Sequence, residues 1–416
     1  MRANPERIVE DLSELIAIPS ITGSERRIQE VMVTLMEEAT LDVSWIETDP
    51  SELAQDPDFP GIEVPRDDLI VVAGRYDTGR PGPRRMLLGH VDVVPAGDPH
   101  SWTSPAFEPT VVDGNLYGRG ACDMKGGVVS MIEAVRVALE SGVDLDGEIV
   151  VVAVPSEEDG GAGTLSAIRA GYTADMAVIP EPTGLDIVVA HAGAITFTLR
   201  VPGRAAHAST RLEGVSALDK LIVLMGALAE DERVRNESET NPLMRAIGLP
   251  YPTIIGQVEG GNWASTVMDS VEADGRYGVR LGQNCDQAGD DLRGAITAAW
   301  EADEWLARFP VGLETWGGRF DSCFLDPDHP LAVGIASAHL GVTGVSARKL
   351  GAPYGADMRL LINQGNTPTV MYGPGSVNVA HSADEFVPLA EVATCAETLA
   401  RWLVSSEQLT VPDVDS

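Results

Sequence analysis

The chain has 416 residues and a formal net charge of −34 at pH 7, set by 63 acidic and 29 basic side chains. Such a charge repels nucleic-acid phosphates and anionic membranes, which argues against a protein that acts on either. The length favours two domains, and an apolar fraction of 44% is enough for sizeable cores.

The first part of the chain alternates helical and strand patterns. Apolar residues recur at helical spacing in residues 7–17 and 24–36. Apolar runs typical of strands occupy residues 42–46, 68–75, 85–94, 147–155 and 174–179. Residues 79–83 are expected to form a hairpin turn between the second and third strands, and the acidic, proline-rich residues 49–65 a surface loop. Unbroken apolar strands between helices imply an α/β fold with a mostly parallel sheet flanked by helices.

The pattern changes near Ala194. Two long helical patterns follow, at 216–228 and 286–305, among strands expected at 195–201, 252–257, 270–281 and 310–315. This order indicates a small α+β domain inserted into the larger one. The larger domain then resumes with a helix at 331–339, a strand at 368–371 and a closing helix at 389–403. We predict a catalytic domain from residues 1–193 and 319–416, and an inserted domain at 194–318.

Histidine and carboxylate residues follow several of the predicted strands. His90 and Asp92 end one strand, Glu157 and Glu158 follow another, and Glu181 follows a third. In open α/β sheets this edge is where ligands bind. Two further residues lie in glycine-rich segments, Asp123 before a helix and His381 after a strand.

This donor set is typical of zinc or a similar metal, and five ligands with one shared carboxylate would suit two ions about 3.5–4 Å apart. Taken one by one, these residues need no metal to explain them. A lone histidine is usually a surface residue, and paired glutamates at a strand end are usually exposed to solvent. The convergence of separate segments on one sheet edge favours the metal site.

These segments resemble the M20 family of metallopeptidases and deacylases, which includes acetylornithine deacetylase and succinyl-diaminopimelate desuccinylase. The matching motifs are Gly89 to Pro95, Tyr117 to Gly127, Ser156 to Glu158, Glu181 to Thr183 and His381 to Glu385. They span nearly the whole chain in the order that the family has.

The resemblance implies a role for each of these residues. His90, Asp123 and Glu181 would hold one divalent ion, and Asp123, Glu158 and His381 the other, with Asp123 as the bridge. The ions would be Zn²⁺, with Co²⁺ or Mn²⁺ as alternatives, and they would activate a bridging water. Asp92 would orient His90. Glu157 would be the general base, and the peptide bond between Asp123 and Met124 would be cis.

Other implied roles concern the substrate and the inserted domain. His207 would stabilise the oxyanion, often across a dimer, and the inserted domain would be both lid and dimerisation surface. Arg280 would grip a substrate carboxylate, for which a structural salt bridge is the alternative. Gly355 would bring backbone close to the ligand, and Arg359 is a further candidate in the same loop. The family pattern is broken at Ser265 and Met268, where Asn and Pro are usual.

The cysteines and the first residues of the chain indicate the cellular compartment that we expect. The four cysteines are far apart and form no metal-binding or disulfide pattern, so reduced thiols fit best. The first 20 residues lack the apolar core of a signal peptide, and no apolar run is long enough to span a bilayer. We therefore expect a cytoplasmic protein without a membrane partner.

The sequence predicts a metal-dependent amidohydrolase that cleaves the amide bond of an N-acyl amino acid, of the deacetylase or desuccinylase type. The partners expected are that small substrate and a second copy of the chain, bound through the inserted domain. One alternative is a dipeptidase or carboxypeptidase with the same centre. Another is a non-catalytic small-molecule binding protein that retains the fold.

Overall fold

A computed structural model describes residues 1–405, which form two compact units. One unit comprises Met1–Val189, Leu325–Leu350 and the chain from Leu360; the other comprises Ala190–Phe324 and Gly351–Arg359. The predicted bounds of the inserted domain, 194–318, stay a prediction. The predicted catalytic domain runs to residue 416, and its last part, 406–416, lies outside the described residues.

The helices are α1 (Pro5–Ile16), α2 (Arg26–Glu38), α3 (Pro50–Leu53), α4 (Gly126–Glu140), α5 (Ala162–Arg169), α6 (Ala217–Glu237), α7 (Pro242–Arg245), α8 (Cys285–Ala302), α9 (Pro330–Thr343), α10 (Met358–Asn363) and α11 (Leu389–Leu403). Within the described residues, none of them is long and apolar enough to cross a membrane.

The strands are β1 (Asp42–Thr48), β2 (Leu69–Asp77), β3 (Arg84–His90), β4 (Thr110–Val112), β5 (Asn115–Tyr117), β6 (Glu148–Val154), β7 (Met176–Ile179), β8 (Ile187–His191), β9 (Gly193–Pro202), β10 (Thr253–Gly260), β11 (Ser270–Val279), β12 (Gly312–Phe320), β13 (Cys323–Phe324), β14 (Lys349–Ala352), β15 (Thr369–Met371) and β16 (Phe386–Pro388). Of these, β4, β5, β8, β13, β14 and β16 are not among the strands predicted from the sequence.

The large sheet has the strand order β1-β2-β6-β3-β7-β15-β8-β13, and β14 also pairs with β8. Its centre, β6-β3-β7-β15, is parallel, whereas β1, β2, β8 and β13 add antiparallel pairs at the sides. Helices α2, α4, α5 and α9 pack against it. The predicted α/β class, a mostly parallel sheet flanked by helices, is confirmed.

The predicted hairpin between the second and third strands is wrong. β6 lies between β2 and β3 and pairs with both. Residues 78–83 instead wrap around the start of β6, where Thr78 N–H donates to the Gly147 carbonyl at 3.2 Å and Gly147 N–H donates to the Arg80 carbonyl at 3.1 Å. A turn-forming sequence marks where a chain reverses, but it does not say whether a third strand enters between the two arms.

The second unit contains a four-stranded antiparallel sheet in the order β10-β11-β9-β12, with α6 and α8 packed against it. Its core is formed by alternate residues of the strands and one stripe of each helix, among them Phe197, Leu199, Leu221, Leu224, Leu292 and Ile296. This α+β arrangement agrees with the pattern change near Ala194.

A small three-stranded sheet, β16-β5-β4, matters most for the site. It pairs Phe386 with Tyr117 in antiparallel register. Because Asp123 follows β5 closely and His381 precedes β16, this pairing brings two chain segments together that are more than 250 residues apart in sequence.

Candidate metal centre and active site

Three parallel strands end at one edge of the large sheet, and each delivers polar side chains there. β3 ends at His90, which lies level with Val154 at the end of neighbouring β6. Glu157 and Glu158 follow β6, and Glu181 follows β7, the other neighbour of β3. Since the carboxyl ends of parallel strands meet at the same edge, these side chains converge.

Asp123 lies between two imidazoles. Its Oδ1 is 3.1 Å from Nε2 of His90, and its Oδ2 is 3.4 Å from Nε2 of His381. Glu158 Oε2 lies 3.1 Å from the same nitrogen of His381, and Glu181 Oε1 lies 3.9 Å from Nε2 of His90. The five predicted metal ligands are therefore neighbours in space, with Asp123 at the centre.

The hydrogen bonds of His90 leave one ring nitrogen for a metal. Nδ1 lies 2.9 Å from the backbone carbonyl of Asp92, so Nδ1 carries the proton and donates it. In the neutral ring, Nε2 is then the nitrogen whose lone pair a metal ion would bind. The carboxylate of Asp92, which the resemblance assigns to this task, is 3.6 Å from Nδ1, beyond hydrogen-bond distance.

The Asp92 carboxylate instead holds the segment that carries the candidate base. Oδ1 accepts the backbone N–H of Glu157 at 3.1 Å, and Oδ2 accepts that of Glu158 at 3.2 Å. Oδ2 also accepts the hydroxyl of Thr22 at 3.1 Å. Asp92 is fully buried, and these three donors compensate its charge.

The tight turn Ala121–Lys125 presents Asp123. Its Asp123–Met124 peptide bond is cis, as the resemblance implies. Lys125 is fully buried and donates to the carbonyls of Leu15 and Ile18 at 2.9 Å each, which anchors the turn to the end of α1. Burial lowers the pKa of Lys125 to about 7.

Glu385 holds the same turn from the other side. Its Oε1 accepts the backbone N–H groups of Cys122 and Asp123 at 2.9 and 3.0 Å, and its Oε2 lies 2.5 Å from Nη1 of Arg119. Glu385 belongs to the motif that begins at His381, but neither its spacing nor its type indicates that it clamps a backbone 262 residues away.

The charges of the cluster perturb one another strongly. Hydrogen bonds to Asp123 and Glu158 raise the pKa of His381 to about 11. Burial would lower the pKa of His90, but the hydrogen bond to Asp123 and the charges of Glu181 and other acids raise it well above its ordinary value. Burial and the Asp123 carboxylate raise the pKa of Glu158.

Burial would raise the pKa of Asp123, yet its hydrogen bonds to His381 and His90 lower it. The cluster is thus a concentration of negative charge that attracts cations.

The donor set fits a metal ion. One ligand atom from each of His90, Asp123 and Glu158 lies within 4.8 Å of the other two. Imidazole and carboxylate donors are those that zinc and similar ions prefer.

The second unit presents His207 in an exposed turn. Nδ1 accepts the backbone N–H of Ser209 at 3.1 Å, so in the neutral ring the proton sits on Nε2. Residues 265–267 hold this turn, because Ala208 N–H donates to the Ser265 carbonyl and Val267 N–H to the Ala206 carbonyl, both at 2.9 Å. The departure from the family pattern at Ser265 thus lies beside His207.

The three predicted substrate-binding residues also lie in the second unit and differ in exposure. Arg280 is partly exposed. Within the described residues its guanidinium makes no close ion pair, but its positive charge interacts with the Glu239 carboxylate. Arg359 is 1% exposed, donates to the carbonyls of Ala356 and Arg319 at 2.9 and 3.3 Å, and stacks on Phe320.

A Cβ on Gly355 would lie 2.4 Å from that of Phe320, so the glycine permits close packing there. These contacts make Arg359 and Gly355 part of the packing of their loop, and the substrate-binding roles of all three residues stay predictions.

Comparisons with known proteins agree with this geometry. The sequence model of peptidase family M20/M25/M40 matches residues 86–405. The acetylornithine deacetylase of Salmonella heidelberg is 30% identical over 395 residues, which cover 91% of this chain and 92% of that protein. The N-formyl-4-amino-5-aminomethyl-2-methylpyrimidine deformylase of Bacillus subtilis is 27% identical over 346 residues, 77% of this chain and 78% of that protein.

Among solved structures, a tripeptidase from Staphylococcus aureus has the same fold. It superposes with a TM-score of 0.73 at 21% identity, over 97% of this chain and 98% of that one. The resemblance drawn from the motifs is therefore confirmed. The chain belongs to peptidase family M20/M25/M40, as a hydrolase that acts on amides or peptides.

Proposed function

We propose that this chain is a metal-dependent amidohydrolase that removes a small acyl group from an N-acyl amino acid. The observation that carries the proposal is the placement of the Asp123 carboxylate between His90 and His381, with Glu158 and Glu181 beside them. Relatives named as a deacetylase and a deformylase support acyl removal rather than peptide cleavage.

Two divalent ions are the proposed cofactor, with Zn²⁺ as the first choice and Co²⁺ or Mn²⁺ as alternatives. His90, Asp123 and Glu181 would hold one, and Asp123, Glu158 and His381 the other. Such ions supply Lewis-acid polarisation of an amide carbonyl and lower the pKa of water.

The remaining chemistry falls to the side chains. The carboxylate of Glu157, 8% exposed, would take a proton from the attacking water and return it to the leaving amine nitrogen. Asp92 keeps that segment in place through the N–H of Glu157. Nε2–H of His207 would donate to the oxyanion, and Arg280 would pair with the substrate carboxylate.

A substrate panel tests the proposal. Purified protein loaded with Zn²⁺, Co²⁺ or Mn²⁺ would be assayed on N-acetyl, N-formyl, N-succinyl and N-carbamoyl amino acids and on dipeptides. Metal-dependent release of the free amino acid from an N-acyl compound is the expected result. Preferential turnover of dipeptides would favour the peptidase alternative, and binding without turnover of any amide would favour the non-catalytic alternative.

We also propose a homodimer formed through the inserted domain. Leu218, Ile222 and Met225 form an apolar stripe on α6 that is 41–59% exposed. Beside α6, the outer edge of β10 pairs with no strand in the described residues, and it carries Ile254 and Val258, 60% and 53% exposed. Ile222→Glu would then shift the sedimentation coefficient to that of a monomer; an unchanged coefficient, or a monomeric starting protein, would contradict the dimer.

The cytoplasm is the proposed compartment. All four cysteines are buried and unpaired in the described residues, which suits a reducing environment. Fractionation of the source cells with an antibody to the chain tests this, and recovery outside the cytoplasmic fraction would contradict it.

A further inference from the structure

A buried arginine joins two segments that support the candidate active site. The side chain of Arg66 is 1% exposed, and it contacts the carboxylates of Glu25 and Asp159, which are 5% and 4% exposed. Nη2 donates to both oxygens of Asp159 at 2.9 and 2.8 Å, and Nη1 donates to Glu25 at 3.2 Å. We call these three residues the Arg66 triad. Removing these charges from water is costly, and only well-aligned hydrogen bonds offset the cost. The triad therefore restrains the three chain segments to which its residues belong.

One carboxylate of the triad belongs to the turn that follows β6. Asp159 Oδ1 accepts the hydroxyl of Ser156 at 2.5 Å, and Oδ2 accepts the backbone N–H of Val64 at 3.0 Å. Ser156 has a φ of 69°, a left-handed conformation that non-glycine residues rarely adopt without support. Asp159 therefore stabilises the turn on which Glu157 and Glu158 sit.

The other carboxylate belongs to the turn of residues 22–25. Glu25 Oε1 accepts the backbone N–H of Gly23 at 2.7 Å, and the neighbouring Thr22 donates its hydroxyl to Asp92. The remaining donors to Asp92 are backbone N–H groups of the turn after β6. The triad therefore supports each of these donors to Asp92. Glu25 holds the turn that carries the Thr22 hydroxyl, and Asp159 holds the turn that carries the two backbone N–H groups.

The loop that brings in Arg66 also packs directly on both turns. A Cβ on Gly160 would lie 2.4 Å from the Gly61 carbonyl oxygen, and a Cβ on Gly23 would lie 2.9 Å from Val64 Cγ1. Phe59 and Ile62 of the loop pack against an apolar cluster that includes residues of α5. The predicted surface loop, residues 49–65, therefore packs across both turns, and Arg66 follows directly at its end.

We propose that Arg66 is a positioning residue of the active site, which holds the turn after β6 so that Glu157 and Glu158 keep their places. For Glu157 the inference rests on the proposed function, whereas for Glu158 it concerns metal binding alone. Without the guanidinium, Glu25 and Asp159 would face each other as buried acids near a third, Asp92. The turn would then move, and a displacement of about 1 Å at a catalytic group costs on the order of 10²-fold in rate.

The test compares Arg66→Met and Arg66→Lys with Arg136→Met. Arg136 is a matched control because it also forms a buried pair, with Asp11 at 2.5 Å, but it joins α4 to α1. Each variant would be studied at a temperature where circular dichroism shows it folded. One readout is Co²⁺ titration followed by visible absorption, and the other is kcat and KM on the best substrate of the panel.

For Arg66→Met we expect Co²⁺ affinity and kcat to fall by roughly 10–100-fold, with KM little changed, because loss of a residue that supports metal ligands has effects of this size. The single ammonium group of Arg66→Lys cannot bond both carboxylates in the same way. Its Co²⁺ affinity and kcat should therefore lie between those of Arg66→Met and those of the wild type. Arg136→Met should lose stability but keep the wild-type affinity and kcat.

Wild-type Co²⁺ binding and kcat in folded Arg66→Met would overturn the inference. If that variant does not fold, the same result in Arg66→Lys would overturn it. If the wild type hydrolyses nothing on the panel, the proposed function fails, while the Co²⁺ titration still decides the role of Arg66.

Discussion

Oε1 of Glu385 lies 3.0 Å from the backbone nitrogen of Asp123 and accepts its N–H. Glu385 follows His381 by four residues, so one loop both supplies a proposed metal ligand and holds the backbone of another. Its charge is compensated by Arg119, and the two side chains are 1% and 2% exposed. This clamp is a part of the site that can be tested without a substrate.

Glu385→Gln should lower the free energy of unfolding by about 3 kcal/mol, because it leaves the buried Arg119 without its counter-charge. It should also weaken Zn²⁺ binding by roughly tenfold or more, since the Asp123 turn loses support. Urea denaturation and calorimetric Zn²⁺ titration measure the two effects. Glu133→Gln is a matched control, as Glu133 is buried, pairs with Arg7 and accepts a backbone N–H from Asn4. Equal Zn²⁺ affinity in both variants would contradict the clamp.

Glu157→Gln should keep its metal but lose roughly 10²–10⁴-fold in kcat, the usual contribution of a general base. The amide is nearly the same shape as the carboxylate but cannot accept a proton. Metal analysis by mass spectrometry and steady-state kinetics check this, with the exposed Glu30→Gln as the control. Unchanged turnover would remove Glu157 from its proposed role.

His381→Ala should reduce the bound metal by about half, because one of the two proposed positions loses its only histidine. The side chain of His381 is 52% exposed, so its removal should cost little stability. Metal analysis after dialysis against dilute Zn²⁺ measures the loss, and the exposed His100→Ala is the control. Full wild-type metal content in His381→Ala would exclude it as a ligand.

Arg280→Met should lower kcat/KM for a substrate with a free carboxylate by roughly 10–100-fold, as a charged hydrogen bond contributes about 1.5–3 kcal/mol. Removal of the guanidinium should disturb the fold little, since it makes no close ion pair within the described residues. Kinetics on an N-acyl amino acid and on its amide give the comparison. Arg293→Met, exposed on α8, is the control. An equal loss on both substrates would show that Arg280 does not recognise the carboxylate.

Much of the site could be predicted because its residues stand at the ends of apolar strands. His90, Glu157, Glu158 and Glu181 follow such strands, and general rules for α/β sheets place ligands at that edge. Asp123 and His381 stand out less, since they lie in glycine-rich segments, and which ion each would hold is implied only by the family resemblance. The substrate-binding residues were less predictable, since the sequence does not show that Arg359 is buried while Arg280 is partly exposed.

The sequence by itself determined the alternation of helices and strands, the inserted α+β pattern and the identity of the proposed metal ligands, because these depend on local periodicity and short motifs. Only the tertiary structure decided that β6 enters between β2 and β3, that Glu385 holds the Asp123 backbone, and that Arg66 joins Glu25 to Asp159. Each of these depends on which distant segments become neighbours. Strand pairing and buried ion pairs depend on the packing of the whole unit, so no local sequence pattern predicts them.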